Sequence, residues 1–174
     1  MHPTQPALRA LLASVLAASA LAGAPARAAD APAAGPLYAS AADLQAIAAR
    51  AAASLKPGQP LASANALQLA PYRGNVEVRV AIAPAAVHDT EAEFFIVIEG
   101  SGVLQTGGTL VNETRPSPNE GRGTALEGAA SQPVAKGDML VVPEKVPHWF
   151  SRIDGKLVLL SLHVPRGEAA SPKP

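Results

Sequence analysis

From Val76 the hydrophobic period of this chain becomes two: Val76, Val78, Val80 and Ile82 alternate with Glu77 and Arg79. Side chains of a strand point alternately to opposite faces, so the pattern calls for a half-buried β-strand and suits no helix. Glu77 and Arg79 are then expected to form an exposed cross-strand pair. Residues 94–98 and Met139–Val142 are short, nearly continuous apolar runs, and residues 157–164 form a longer one. Between them, Gly107-Gly108 and the Gly/Pro-rich stretch 112–128 read as turns and a long loop. Several short strands punctuated in this way predict an all-β sandwich or barrel.

The first part of the chain has a different texture. Residues 1–9 are weakly basic, residues 10–22 are an apolar run, and Ala24-Pro-Ala-Arg-Ala28 places small residues where a signal peptidase reads them. That apolar run is short of the ~20 residues that span a bilayer. A secretory signal cut after Ala28 is therefore expected, with delivery to the periplasm or the exterior. Residues 29–36 are an Ala/Pro linker. Ser40 opens a helix with Asp43 near its positive end, and Leu44, Ile47, Ala48, Ala51 and Leu55 form a narrow apolar face. Lys56-Pro57-Gly58 ends it. So thin a face should pack on the main domain. The expected organisation is a signal (1–28), linker and helix (29–70), β-barrel (71–165) and polar tail (166–174).

Composition removes several functions. The 174 residues include no cysteine, so disulfides and thiolate metal sites are excluded and any metal must take nitrogen and oxygen ligands. Without Arg9 and Arg27, 12 of the 14 basic residues remain against 14 acidic ones, a net charge of −2. That balance offers no footprint for nucleic acid, and no membrane contact is expected once the signal is cut. Between Arg79 and Arg115 there is no basic residue, while Asp89, Glu91, Glu93, Glu99 and Glu113 all fall there. A local acidic surplus beside a histidine suits a cation.

Three histidines follow the signal: His88, His148 and His163. The first lies in His88-Asp-Thr-Glu-Ala-Glu93, which runs into an apolar strand closed by Glu99-Gly100-Ser-Gly102. The second ends Gly137-Asp-Met-Leu-Val-Val-Pro143-Glu-Lys-Val-Pro-His148. A His and a Glu joined by a His from a distant strand form a ligand set of the 2-His-1-carboxylate type, so His88, Glu93 and His148 are the expected metal ligands. His88 and Glu93 are an odd number of residues apart and would face opposite ways on a regular strand. A bulge or bend within Asp89-Thr-Glu-Ala would bring them together.

His88-x4-Glu93-x6-Gly100 and Gly137-x5-Pro143-x4-His148 resemble the two motifs of the cupin family, in the family's order and over roughly residues 70–165. The resemblance implies a single antiparallel jelly-roll barrel, here with a short N-terminal helix packed on it and a metal near one mouth. The family's first motif carries two histidines one residue apart before the glutamate. Here, if His88 is the second, Ala86 takes the first position; if it is the first, Thr90 takes the second. The step to Glu93 fits the former. His163 or Thr90 could complete the site, while Glu91 is expected to be a solvated strand-edge charge.

These features imply an exported protein holding a divalent Fe, Mn, Ni or Zn ion and acting on a small organic molecule, with the dioxygenase- or isomerase-like chemistry that the resemblance implies. The alternative is a non-catalytic exported module that binds a metal or small ligand. A homodimer formed through edge strands is the remaining expectation about partners.

Overall fold

The computed structural model describes residues 36–166; the expected signal, residues 29–35 of the linker and residues 167–174 of the tail lie outside them. One helix, α1 (Ala41–Ala53), precedes eleven strands. They are β1 (Leu61–Leu69), β2 (Tyr72–Arg79), β3 (Ala85–His88), β4 (Glu91–Thr106), β5 (Thr109–Val111), β6 (Thr114–Ser117), β7 (Glu120–Gly123), β8 (Ala125–Glu127), β9 (Ala130–Ala135), β10 (Met139–Val142) and β11 (His148–Pro165). All pairings are antiparallel. This is the all-β architecture with one short helix that a jelly-roll barrel requires.

The two longest strands, β4 and β11, pair along almost their whole length, from His148↔Thr106 to Pro165↔Glu91. On the edge of β11 away from β4, β2 and then β1 follow its C-terminal half, and β3, β7 and β6 follow its N-terminal end. β9 and β10 pair with β4, and β5 with β8 makes a separate ribbon. Strand β1 lies in the stretch expected to hold only linker and helix, so the sheet starts at Leu61. The expected long loop, 112–128, likewise contains β6, β7 and β8.

Ser40 caps α1 as expected: its side chain accepts from the Asp43 N–H while the Asp43 carboxylate accepts from Ser40 N–H, a reciprocal capping box. Ile47 and Ala51 bury against Ala62 and Ala66 of β1, Val76 and Val78 of β2 and Val158 of β11. The helix thus covers the outer face of the sheet. The inner face carries a second cluster, Phe95, Val97, Leu104, Val134, Val142, Phe150, Leu157 and Leu159. Strand β2 is therefore covered on both sides, and its expected orientation is inverted. Val76 and Val78 face the helix, and Glu77 and Arg79 face the interior in rows with Leu159 and Leu157. Their side chains are only 11% and 12% exposed. They are a buried i, i+2 pair on one strand, not an exposed cross-strand pair.

The two motif glycines differ in what they demand. Gly100 has φ +85°, and a Cβ there would lie 1.9 Å from the Lys156 carbonyl oxygen on the facing strand. Gly137 has φ +95° but open space around it. Gly137→Ala should cost about 1–2 kcal/mol of left-handed backbone strain. Gly100→Ala should cost about 3 kcal/mol or more, since β4 and β11 must also part. Urea unfolding of both variants checks this; an equal loss at the two positions would contradict the backbone contact.

Candidate metal centre

The corner between β3 and β4 sets the site. His88 ends β3, Asp89 and Thr90 form a bend, and Glu91 starts β4. The bend is pinned by the Asp89 N–H donating to the Asn119 carbonyl and the Lys145 N–H donating to the His88 carbonyl. It breaks the alternation, so His88 and Glu93 face the same interior. His148 starts β11 in a row with Ala86 of β3 and Thr106 of β4.

These three side chains meet. Nε2 of His88 and Nε2 of His148 each lie 3.2 Å from Oε2 of Glu93. Glu93 is 3% exposed and His148 5%. The other carboxylate oxygen, Oε1, accepts a 2.6 Å hydrogen bond from Ser161 Oγ and lies 3.3 Å from Nε2 of His163. His163 is the direct cross-strand partner of Glu93 and is buried. All three histidines of the described residues thus converge on one carboxylate.

A second layer orients them. Nδ1 of His163 lies 2.8 Å from Oε1 of Glu91, which also accepts a 2.6 Å bond from Arg73 Nη2. Arg73 Nη2 also lies 3.2 Å from Nδ1 of His163. Donation of the Nδ1 proton to Glu91 would leave Nε2 free to ligate, the carboxylate–histidine arrangement that raises ligand basicity. Glu91 is therefore not a solvated strand-edge charge; its side chain is 12% exposed and joins two histidines and an arginine. Thr90 is exposed at the bend. Nδ1 of His148 is buried and has no partner among the described residues, while Nε2 faces Glu93.

Ligand atoms of His88, Glu93 and His148 lie within 4.8 Å of one another, as do those of His88, Glu91 and His163. Ligands bound at ~2.1 Å to one ion are separated by about 3.0 Å in octahedral and about 3.4 Å in tetrahedral geometry. The two 3.2 Å contacts to Glu93 fall between these values. Imidazole nitrogens and a carboxylate form a donor set for a first-row divalent metal. The residues fit such an ion.

The centre opens into a cavity of about 210 Å³. Phe150 belongs to its wall, with Phe95 packed edge-on behind at a ring separation of 5.3 Å. Trp149 anchors another part of the wall by donating to the Ala83 carbonyl over 2.8 Å. Arg73, Arg79, Arg122, Glu77 and Glu120 supply its polar lining. Sequence spacing did not single out these five, or Ser161, as part of a site.

Burial alone would raise the Glu93 carboxyl, but hydrogen bonding to His148 and His88 and the attraction of His148 and His163 hold it far below the ordinary carboxylate range. Burial would lower His88; the Glu93 hydrogen bond and the charges of Glu93, Glu91 and Glu120 outweigh it and raise the imidazole above its usual 6.5. The contribution of His88 to stability is therefore complete below pH 6.5 and is lost as pH rises through the folded-state value. That of Glu93 is complete above 4.5 and lost only in strong acid. The melting temperature of the metal-free protein should fall from about pH 6 to about pH 9, and Glu93→Gln should flatten that dependence. Thermal melts across this range are the test; a rise for the wild type would contradict the pairing.

No protein-family model matches this chain. No curated protein matches it either. Among solved structures it is similar to a candidate mannose-6-phosphate isomerase of Ralstonia eutropha JMP134, with 16% identity and a TM-score of 0.46 over 66% of this chain and 94% of that one. It is similar to the Fe(II) form of HppE at 16% identity and a TM-score of 0.47, over 60% of this chain and about half (51%) of that one. A third similarity is to the cupin domain of Schizosaccharomyces pombe Cnp3, at 15% identity and a TM-score of 0.45, over 66% of this chain and 72% of that domain.

Proposed function

We propose that this protein is an exported, metal-binding cupin that acts on a small organic molecule at a site built from His88, Glu93 and His148, with His163 as a further nitrogen ligand. One observation carries the proposal: Nε2 atoms from two different strands approach the same buried Glu93 oxygen at ligand-like separation. Ala86 stands where the family's first histidine would, and what supports His163 in its place is that it approaches Glu93 from another strand, at the opposite carboxylate oxygen. The apolar run 10–22 and the small residues before Ala28 support export to the periplasm or the exterior.

A bound divalent ion would supply Lewis acidity and open coordination positions for a substrate's adjacent oxygens, or for dioxygen if the ion is iron. The chain's own residues do the rest. Glu91 lies 2.8 Å from Nδ1 of His163 and fixes that ring. Ser161 donates to Glu93 Oε1 and fixes the carboxylate plane. Phe95 and Phe150 form an apolar floor that keeps bulk water from that side. Isomerase- and dioxygenase-type reactions both suit such a site; a purely sequestering module would show the same metal binding without turnover.

Protein purified without a histidine tag should carry about one equivalent of a divalent metal by elemental analysis. Combined replacement of His88, Glu93 and His148 by alanine should abolish it, and Glu91→Gln should weaken affinity about 10–100-fold by releasing His163. Substoichiometric metal that is indifferent to the triple replacement would sink the proposal.

A further inference from the structure

The cavity beside the metal centre contains a repeated device. On β2 the segment Glu77-Val-Arg79, and on β7 the segment Glu120-Gly-Arg122, each place a glutamate and an arginine on the inward face. Residues two apart share a face of a strand, so each glutamate can brace its arginine. Arg79 donates from both Nε (3.0 Å) and Nη2 (2.6 Å) to Oε2 of Glu77. Its guanidinium carbon lies 4.7 Å from the ring centroid of Phe150. Nη1 makes no hydrogen bond among the described residues. Arg122 is likewise bonded to Glu120 through Nη2.

Arg122 stands in line with the metal centre. Arg122 of β7, Ala86 of β3 and His148 of β11 are direct neighbours across three strands. Neighbouring strands are ~4.8 Å apart, which puts the Arg122 and His148 backbones about 10 Å apart. Only the methyl of Ala86 stands between them. A larger side chain at position 86 would fill the gap; alanine leaves room for a small molecule to touch both ends.

Charge narrows what that molecule is. Arg73, Arg79 and Arg122 face Glu77, Glu93 and Glu120 in the cavity, and Glu91 stands directly behind. Three guanidinium groups against four carboxylates leave one negative charge. A divalent ion turns this into one positive charge, which a monoanion neutralises. Guanidinium matches carboxylate in shape as well as sign.

We propose that the site takes a small monocarboxylate, its carboxylate held by Arg122 and Arg79 and its other end presented to the His88–Glu93–His148 centre. The assignment rests on the metal-binding proposal above, and its test separates the two. Zinc-loaded and metal-free protein are titrated by calorimetry with lactate, with its neutral analogue lactamide and with inorganic phosphate. Lactate should bind the zinc-loaded wild type at least about tenfold more tightly than either alternative. Arg122→Met, and Glu77→Gln with Arg79→Met to remove the buried pair together, should each lower lactate affinity about tenfold or more while zinc affinity is unchanged. Arg122 is 43% exposed, so its replacement remains informative should the double variant fail to fold.

Lactate binding that survives both replacements, or that lactamide equals, overturns the proposal, as does a preference for phosphate. If the wild type binds none of zinc, iron(II), manganese(II) or nickel(II), the metal reading falls by itself. The arginine assignment is then decided in the metal-free titrations, where both replacements must still weaken lactate binding or it falls too.

Discussion

The Glu93 carboxylate is sealed to 3% exposure inside the barrel, and much of the architecture around it follows from keeping it ionised there. A buried, unpaired carboxylate costs several kcal/mol or takes up a proton. Here its oxygens meet His88 from β3 and His148, Ser161 and His163 from β11. Such a set exists in one register only. A one-residue slip of β11 against β4 would send Ser161 and His163 to the outer face, beneath the helix, and bring Leu160 and Leu162 against the carboxylate. Burying Glu93 thus makes the pairing of the two longest strands specific, and the same contacts that satisfy it set ligand atoms at metal-like separations.

The β-class was legible because period-two alternation and Gly/Pro punctuation are local signals. Which face met water was not. Val76 and Val78 alternate with Glu77 and Arg79 in the manner of a half-exposed strand, but the outer side is roofed by Ile47 and Ala51 of α1. Polar residues were then left to point inward, and nothing within β2 itself announces that. The stretch 112–128 misled for a related reason. Gly121 and Gly123 look like loop residues, but a Cβ at either would come within 3 Å of Val87 or of the Val111 carbonyl. They are small because β7 is closely covered, not because the chain turns there. Strand β1 was hidden by its alanines: Ala62 and Ala66 bury well under a helix but carry little β-signal.

Of the centre itself, His88, Glu93 and His148 could be named from motif spacing, and the structure brings them into contact. The bend that aligns the first two falls at Asp89-Thr90, where parity required an interruption. His163 could be placed on a face with Ser161, yet only the pairing His163↔Glu93 shows that this face is the inner one. Glu91 was invisible as a site residue. Its partner Arg73 lies 18 residues away and its partner His163 lies 72 residues away, and strand pairings of that range leave no local periodicity.

The division of the interior is itself informative. On β11, Leu157 and Leu159 point inward with Phe95 and Val97 of β4 and make a dry, well-packed half. Four residues further along the same inward row, Ser161 and His163 join Glu93, and the character changes from hydrocarbon to charge. Around this second half stand Arg79 with Glu77 and Arg122 with Glu120. Such pairs are poor sources of stability, since well-packed apolar residues of similar volume commonly do as well or better. The same barrel shows that it can be filled in that way, because its other half is. Charges kept at one end of an interior that could have been apolar throughout suit a polar ligand better than a packed core, and their position beside the Glu93 cluster would put such a ligand within reach of an ion held there.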